Sequence, residues 1–549
     1  MSRPIEFALC VAMYAALLII FLISLPELNA RFHYELSDIA SCDANLYFTV
    51  GRAMGEGYRP YIDYYENKPP MIFLLIEISY RWTGYYALVN VDSFLCCLNL
   101  LLCAFAIGPI IGWRRGWRAL PTALATCLIG SAGILFMTYA EAKSGEIMTE
   151  IFGVSALMDM FVCLLLLPKE GKITIFDARV ILAGMFLGIA VMFKEPFGLL
   201  GVVALLFFLE KKGDVLSKLV YPLFYCIGTI FLILLISRAI PGYFTIYLSN
   251  MLGHHIETYG SLWDRMVRVD KLFTNLNSYC WELKAMVIGF LSLSAVRGLF
   301  FDFGCSKPAF KIPLKLVRAV LPIIYLYIAS LCVGLGGQYF WHHYAFALPF
   351  YYLILIDSAI LVGELANQLE HIEFKKGNGS EIAKSFGKPL PLLAMAFTMT
   401  FSIIAGHGLA THSYSMKEDS MIAITALAKK EAKYVDDILD ALNESNYLYI
   451  GFNGDSRLYC YTKHLPLGPC FAQDPNNFYS EDTFFVKEFM EDLHETDVIV
   501  LRSYKHGVMQ QEIKSYVAAN FTKDSPEATA SLEPPEGFRY TVYYRNGAF

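Results

Sequence analysis

Three short polar stretches interrupt an otherwise apolar sequence, and each holds residues suited to acid–base or anion chemistry. The first is SDIASCDANLYFTVGRAM, where Asp43 is followed by Tyr47, Gly51 and Arg52. On a helix, positions 43, 47 and 51 share one face. Asp43 reads in two ways: as the N-cap of that helix, or as a carboxylate held toward a cleft at a membrane surface. The second stretch is YIDYYENKPP, in which Tyr61, Glu66, Asn67 and Lys68 precede two prolines and the apolar run MIFLLIEISY. Prolines suit the first turn of a helix, where an N–H would lack an intrahelical partner anyway. A lysine there opposes the helix dipole. It is better placed if an anion sits beside it, because the helix N-terminus and the ammonium then act together on a phosphate. The third stretch, YAEAKSGEIMTEIFG, crowds Glu141, Lys143, Glu146 and Glu150 at the start of another apolar segment. Glu146 stands at the boundary and Glu150 one turn deeper, where a carboxylate is costly and usually serves a function or a partner. Glu146 equally suits the positive end of the helix dipole.

Further basic residues lie where similar chemistry would need them. Lys194 interrupts a long apolar block in MFKEPFG, and His254 and His255 follow an apolar segment in NMLGHHIETYGSLW. These two histidines read as phosphate ligands or as ordinary surface-helix residues. In GGQYFWHHYAFALPF, His342, His343 and Tyr344 adjoin Trp341. That grouping is either a ligand-binding edge or part of an interfacial aromatic belt.

The elements that must position these residues are membrane helices. The chain has 549 residues, of which 56% are hydrophobic and 17% charged; a soluble protein usually carries about a quarter charged residues. The apolar residues come in blocks long enough to cross a hydrocarbon layer of about 30 Å. Eleven spans are expected, near 6–25, 87–111, 119–139, 147–167, 179–193, 196–210, 219–240, 284–301, 318–335, 344–363 and 389–406. The first reads as a retained helix, since no small-residue cleavage site clearly follows it. The block around Lys194-Glu195-Pro196 is split in two, because charge and proline together signal a turn. With the N-terminus inside, every inside loop is rich in Lys or Arg, from Arg114, Arg115 and Arg118 to Lys375, Lys376, Lys384 and Lys388. This alternation requires MIFLLIEISYRW to stay on one side as a short interfacial or re-entrant helix. Residues 26–86 then form one long external loop.

Two domains follow: a transmembrane unit over 1–406 and a small extracytoplasmic α/β unit over 407–549. In the second, NYLYIGF, DVIVLRSY and RYTVYYRN read as strands and KKEAKYVDDILDALNE as an amphipathic helix. Of the 13 cysteines, eight lie in apolar runs as small packing residues. Cys460 and Cys470 flank a turn-rich stretch where an extracytoplasmic domain permits a disulfide.

Taken together, Asp43 with Tyr47 four residues on, then Asn67-Lys68-Pro69-Pro70 before an apolar run, then Glu146 atop a later span, resemble the GT-C glycosyltransferases. The similarity is to the branch holding the protein O-mannosyltransferases and lipid A aminoarabinose transferases. GGQYFWHHYAFALPF, with His342, His343, Tyr344 and Pro349, is similar to a late family element, and the Lys194 turn to a Lys-Gly-Pro-like one. Three departures stand out: Ala44 where relatives often carry a second acid, Asn67 where an acid precedes the lysine, and Glu195 in place of a glycine. The resemblance implies an integral-membrane inverting transferase, moving a hexosyl or pentosyl group from a polyprenyl-phosphate carrier to a hydroxyl of a glycolipid, polysaccharide or protein acceptor. It implies Asp43 as the base and Glu146 as an acceptor-orienting or metal-binding carboxylate. Lys68, Arg52, Lys194, His254 and His255 would stabilise the departing phosphate. Tyr47, Tyr61, Glu66, Asn67, His342, His343 and Tyr344 would line the substrate path. Family members divide between those that use a divalent cation and those that do not, so the metal stays open. The expected setting is the bacterial inner membrane, with the site and the C-terminal unit on the extracytoplasmic side and no nucleic-acid partner.

Other functional classes fit part of this pattern. Many spans with buried ions also suit a transporter or a flippase of lipid-linked sugars, but no paired half-chain repeat is present. A non-catalytic assembly subunit would explain the missing acid after Asp43. An O-antigen ligase or polymerase would carry its polar cluster in a late external loop rather than the first.

Overall fold

The structure, a computed structural model, describes residues 42–83, 149–167, 176–210, 215–252, 418–451, 457–473, 484–502 and 511–549, with scattered residues within 8–15, 92–103, 261–263, 327–335 and 343–350. The first described stretch is a pair of helices, α1 (Cys42–Gly55) and α2 (Met71–Thr83), joined by the polar loop around Lys68. They pack closely because Gly51 lacks a side chain: a Cβ there would meet Ile76 Cβ at 2.5 Å. The 13 described residues of α2 make about 20 Å of helix.

Four further helices follow: α3 (Thr149–Leu165), α4 (Ala178–Phe193), α5 (Phe197–Glu210) and α6 (Val215–Ala239), then a wider π-helical segment, Tyr243–Leu252. Asp177 caps α4 by accepting from the Arg179 N–H at 3.0 Å. The expected break at Lys194-Glu195-Pro196 is present: α4 ends at Phe193, Lys194 turns extended and α5 begins at Phe197. The remaining expected spans lie outside the described residues, apart from single positions. Within them, Lys218–Ala239 is 22 residues long and apolar enough to cross a membrane. Its two faces differ as a lipid-facing helix requires. Leu219, Leu223, Ile227, Ile230, Phe231 and Leu234 are exposed at helical spacing, whereas Tyr221, Tyr225, Leu232 and Ile236 are buried. A soluble surface rarely carries so continuous an apolar stripe.

The buried face of α6 meets α4 through glycines, the usual way two membrane helices bring their backbones together. A Cβ on Gly184 would lie 2.1 Å from the Tyr225 carbonyl oxygen, and one on Gly228 2.4 Å from that of Ile181. Thr229 Oγ1 donates to the Gly184 carbonyl at 3.0 Å across the same contact.

The C-terminal unit is a five-stranded sheet of order β2-β1-β3-β5-β4: β1 (Asn446–Ile450), β2 (Leu465–Pro466), β3 (Val498–Arg502), β4 (Phe521–Thr522) and β5 (Tyr540–Arg545). Strand β1 runs parallel to β2 and β3, and β5 antiparallel to β3 and β4. The strands read from NYLYIGF, DVIVLRSY and RYTVYYRN are β1, β3 and β5. The helices are α7 (Glu418–Leu442), α8 (Leu458–Tyr461), α9 (Phe484–Glu495) and α10 (Gln511–Asn520). Helix α7 buries Ala428, Ala432, Val435 and Leu439 at spacings of three and four. Glu431, fully buried on that face, is held by Arg539: the Arg539 backbone N–H and Nε donate to Oε1 at 3.0 and 2.9 Å. Cys460 and Cys470 are both free thiols, so the disulfide that the sequence permits is not formed. Their sulfurs point to separate partners, Asn45 Oδ1 at 3.0 Å and the Phe485 carbonyl at 3.4 Å.

Two predictions follow from this packing. Gly184→Ala drives a methyl into a backbone carbonyl and lowers stability by about 1–3 kcal/mol. Gly198→Ala, whose Cβ would meet only Val191 Cγ2 at 3.5 Å, is neutral or stabilising; thermal unfolding in detergent separates the two. Glu431→Ala leaves Arg539 without its carboxylate and destabilises the C-terminal unit by about 3 kcal/mol, read from amide exchange in β1 and β3.

Candidate active site

The loop between α1 and α2 is shaped by tyrosines. Tyr61 takes φ 66°, a conformation rare for a large side chain, so surrounding contacts must hold it. Its N–H donates to the Tyr64 carbonyl at 2.8 Å and its hydroxyl to the Lys68 carbonyl at 2.6 Å, which closes the loop. Its ring is fully buried against Phe73, Tyr243 and Tyr247. Lys68 is thereby fixed at its backbone. Its ammonium donates to Asn67 Oδ1 at 3.0 Å and lies 5.7 Å from the centre of the buried Tyr47 ring, a cation–π distance. Glu66 Oε1 accepts from the Asn67 N–H at 3.0 Å.

A second polar group comes from the helices. Glu150, 1% exposed in the first turn of α3, is paired with Lys194 from the α4–α5 turn. His343 Nε2 lies 3.9 Å from the same carboxylate, and Lys194 Nζ stands 5.8 Å from the Phe346 ring centre. The adjacent Glu195 accepts from the Tyr247 hydroxyl of the π-helical segment. Tyr243 and Tyr247 stack on each other and meet the Tyr61 ring at a tilt, so this segment links Glu195 to the Lys68 loop. Burial raises the Glu195 carboxyl to about 7, against the positive charges of Lys194 and Lys68, which lower it. Five segments distant in sequence therefore converge: the 61–68 loop, the start of α3, the α4–α5 turn, Tyr243–Tyr247 and His343–Phe346.

The residues singled out from sequence are placed unevenly. Lys68, Asn67, Glu66, Tyr61, Tyr47, Lys194 and His343 belong to this cluster. Asp43 lies inside the first turn of α1, which begins at Cys42, so it is a first-turn residue rather than an N-cap. Glu146, His254, His255, His342 and Tyr344 lie outside the described residues. Arg52, expected near phosphate, is engaged with the C-terminal unit: Nη1 and Nη2 donate to the Thr462 and Lys463 carbonyls at 2.5 and 2.6 Å, and Nε pairs with Glu56 at 2.8 Å. The same unit holds the loop directly, with Tyr64 Oη donating to the Pro466 carbonyl and the Tyr65 N–H to that of Pro469, each at 2.7 Å. Among the described residues no group of three His, Cys, Asp or Glu stands ready for a metal.

Sequence reasoning assigned no role to four participants: Glu150, Glu195, Tyr243 and Tyr247. Glu150 carried a signal, a carboxylate one turn inside an apolar segment. Glu195 was legible as part of a turn, and Tyr243 and Tyr247 share a helical face only at a spacing that apolar cores also use.

No family model matches the chain, and neither does any curated protein sequence. Among solved structures, the chain is similar to ArnT from Cupriavidus metallidurans bound to undecaprenyl phosphate, with 13% sequence identity, a TM-score of 0.46 and 98% of each chain covered. The apo state of that protein matches with 12% identity and a TM-score of 0.48, covering 99% of this chain and 98% of that one. An Archaeoglobus fulgidus oligosaccharyltransferase, in complex with Zn and sulfate, matches with 11% identity and a TM-score of 0.40, covering 88% of this chain and 67% of that one.

Proposed function

We propose that the chain is an integral-membrane glycosyltransferase that takes a sugar from a polyprenyl-phosphate carrier and transfers it to an acceptor hydroxyl. The observation that carries this reading is the gathering of Lys68, Lys194 and His343 with two carboxylates, the buried Glu150 and the half-buried Glu195, at the ends of apolar helices. Such a group suits a lipid-borne phosphate, whose tail lies among apolar side chains while its oxygens meet cations in a dry, low-dielectric setting.

The chemistry divides as follows. The acceptor oxygen attacks the anomeric carbon from the face opposite the phosphate, and the bond from that carbon to the phosphate oxygen breaks. The departing lipid phosphate keeps the electron pair, and its growing negative charge is met by Lys68 and Lys194. Asp43 takes the acceptor proton. Glu150 orients the Lys194 ammonium before donor arrives, and Asn67 orients that of Lys68. Tyr47 faces the Lys68 ammonium with its ring, and Tyr61 fixes Lys68 through its backbone carbonyl.

Transfer from synthetic polyprenyl-phosphate sugars by the purified protein is the direct test. Lys68→Ala and Lys194→Ala are expected to reduce kcat/KM by about 100-fold or more, from the loss of a preorganised charge at the leaving group. Asp43→Asn is expected to reduce kcat by about the same factor. Wild-type transfer that survives all three substitutions contradicts the assignment.

The Glu195 carboxyl supplies a pH test. Below about 7 it is neutral, so the lysines present more uncompensated positive charge and anionic donor binds more tightly. Above that pH the ionised carboxylate repels the phosphate, and KM for donor rises. Glu195→Gln removes this dependence between pH 6 and 8 if Glu195 is its source; a profile unchanged by the substitution assigns it elsewhere.

A further inference from the structure

The C-terminal unit grips the Lys68 loop through the turn that follows β2, and a carboxyl group lies directly against that turn. The Leu467 N–H donates to the Tyr447 carbonyl at 2.7 Å and so anchors the turn to β1. Tyr64 Oη and the Tyr65 N–H, from the Lys68 loop, donate to the Pro466 and Pro469 carbonyls on either side of Gly468. Gly468 takes φ 76°, a left-handed conformation that glycine adopts without steric cost. It also leaves no room for a side chain, because a Cβ there would collide with both oxygens and the carboxyl carbon of Asp492. Asp492 of α9 therefore lies flush against the backbone of the turn. The Tyr65 ring packs on Phe484 and Phe485 at the start of the same helix, with centres 5.7 and 6.1 Å apart, so α9, the turn and the loop meet at one contact.

This contact suits a neutral carboxylic acid and not a carboxylate. Asp492 Oδ2 is buried and has no hydrogen-bond partner among the described residues; an ionised oxygen in that position would lack the donors that offset its desolvation. Its own helix adds like charge, from Glu488, Glu495 and Glu491. From the elements packed against α9, the groups that face it are the Cys470 thiol and the Tyr65 hydroxyl, both of which burial and the nearby carboxylates hold in their neutral forms. Among the described residues no lysine or arginine acts on Asp492. Burial, and then the three glutamates, raise its carboxyl from the ordinary 3.8 to about 7.

We infer that Asp492 makes the hold of the C-terminal unit on the Lys68 loop pH-sensitive: the 466–469 turn stays seated between α9 and the loop while Asp492 is neutral, and the hold loosens when Asp492 loses its proton. Ionisation leaves a buried charge without a donor and facing three glutamates, and separation of α9 from the turn returns that charge to water. The seated carboxyl keeps its proton up to about 7, whereas one open to water releases it at lower pH. Between those two values seating takes up one proton, so it weakens about tenfold for each pH unit of rise. The hold is therefore strongest in acid, declines as the pH rises to about 7 and is level above it. The device rests on this contact alone and stands whether or not the chain transfers sugar.

The test is hydrogen–deuterium exchange of the full-length protein in a neutral detergent, read in peptides spanning Tyr65. Rates are converted to protection factors, which removes the intrinsic pH dependence of exchange. Protection in the wild type is expected to fall about tenfold or more between about pH 5.5 and 7.5. Asp492→Asn, an uncharged isostere, is expected to keep the acid value throughout. Glu491→Gln with Glu495→Gln, both at exposed positions, removes like charge and is expected to move the fall to lower pH. Glu195 titrates over the same range at a different contact, so Glu195→Gln is expected to leave the wild-type profile in place. Wild-type protection that does not change over this range overturns the inference. So does a fall that Glu195→Gln abolishes, or one that neither Asp492→Asn removes nor the paired glutamine substitutions move.

Discussion

A carboxylate cannot stay ionised in an apolar helix bundle without a cation beside it, and Glu150 imposes that condition on everything around it. It lies in the first turn of α3, 1% exposed, where isolated burial of the charge would cost several kcal/mol. Lys194 meets it from the break between α4 and α5. The break serves this pairing: Lys194 leaves the helix in an extended conformation, which carries its ammonium sideways to α3 instead of along its own axis. The glycine contacts between α4 and α6 then fix the turn's position, because two backbones in contact have little freedom to slide.

The second requirement is to hold the Lys68 loop against this group. The loop lacks regular secondary structure, and its shape rests on buried tyrosines. Tyr61 closes it through the Lys68 carbonyl while its ring packs at a tilt on Tyr247, whose hydroxyl meets Glu195. On the outer side, Tyr64 and Tyr65 bond to carbonyls of the 466–469 turn, and Arg52 bonds to those of Thr462 and Lys463. The C-terminal unit is thus part of what sets the position of Lys68, and it does so largely through backbone carbonyls. A sequence pattern records such contacts poorly, since almost any residue supplies a carbonyl.

That asymmetry explains how much was legible in the sequence. Charge and proline at 194–196 disclosed the helix break, because both are local signals with a local cause. Alternating β-branched and aromatic runs disclosed β1, β3 and β5 for the same reason. Asn67 and Lys68 stood out because a cation at a helix start is electrostatically awkward. The tie of Arg52 to the C-terminal unit was not legible, because those partners lie about 410 residues away. Glu195 was passed over because its importance comes from its bond to the Tyr247 hydroxyl, which no local pattern encodes. The free thiols of Cys460 and Cys470 make the same point: the sequence left a bond between them open, and the fold turns one toward α1 and the other toward α9.

The central claim is that Lys68 and Lys194 form one receiving site for a lipid phosphate. A cryo-electron microscopy structure of the protein with bound polyprenyl phosphate tests it most directly. The account predicts phosphate oxygens within hydrogen-bonding distance of Lys68 Nζ and Lys194 Nζ, with the prenyl chain running along apolar helix surface. A phosphate bound elsewhere, with both lysines still on their carboxylate and amide partners, would contradict it.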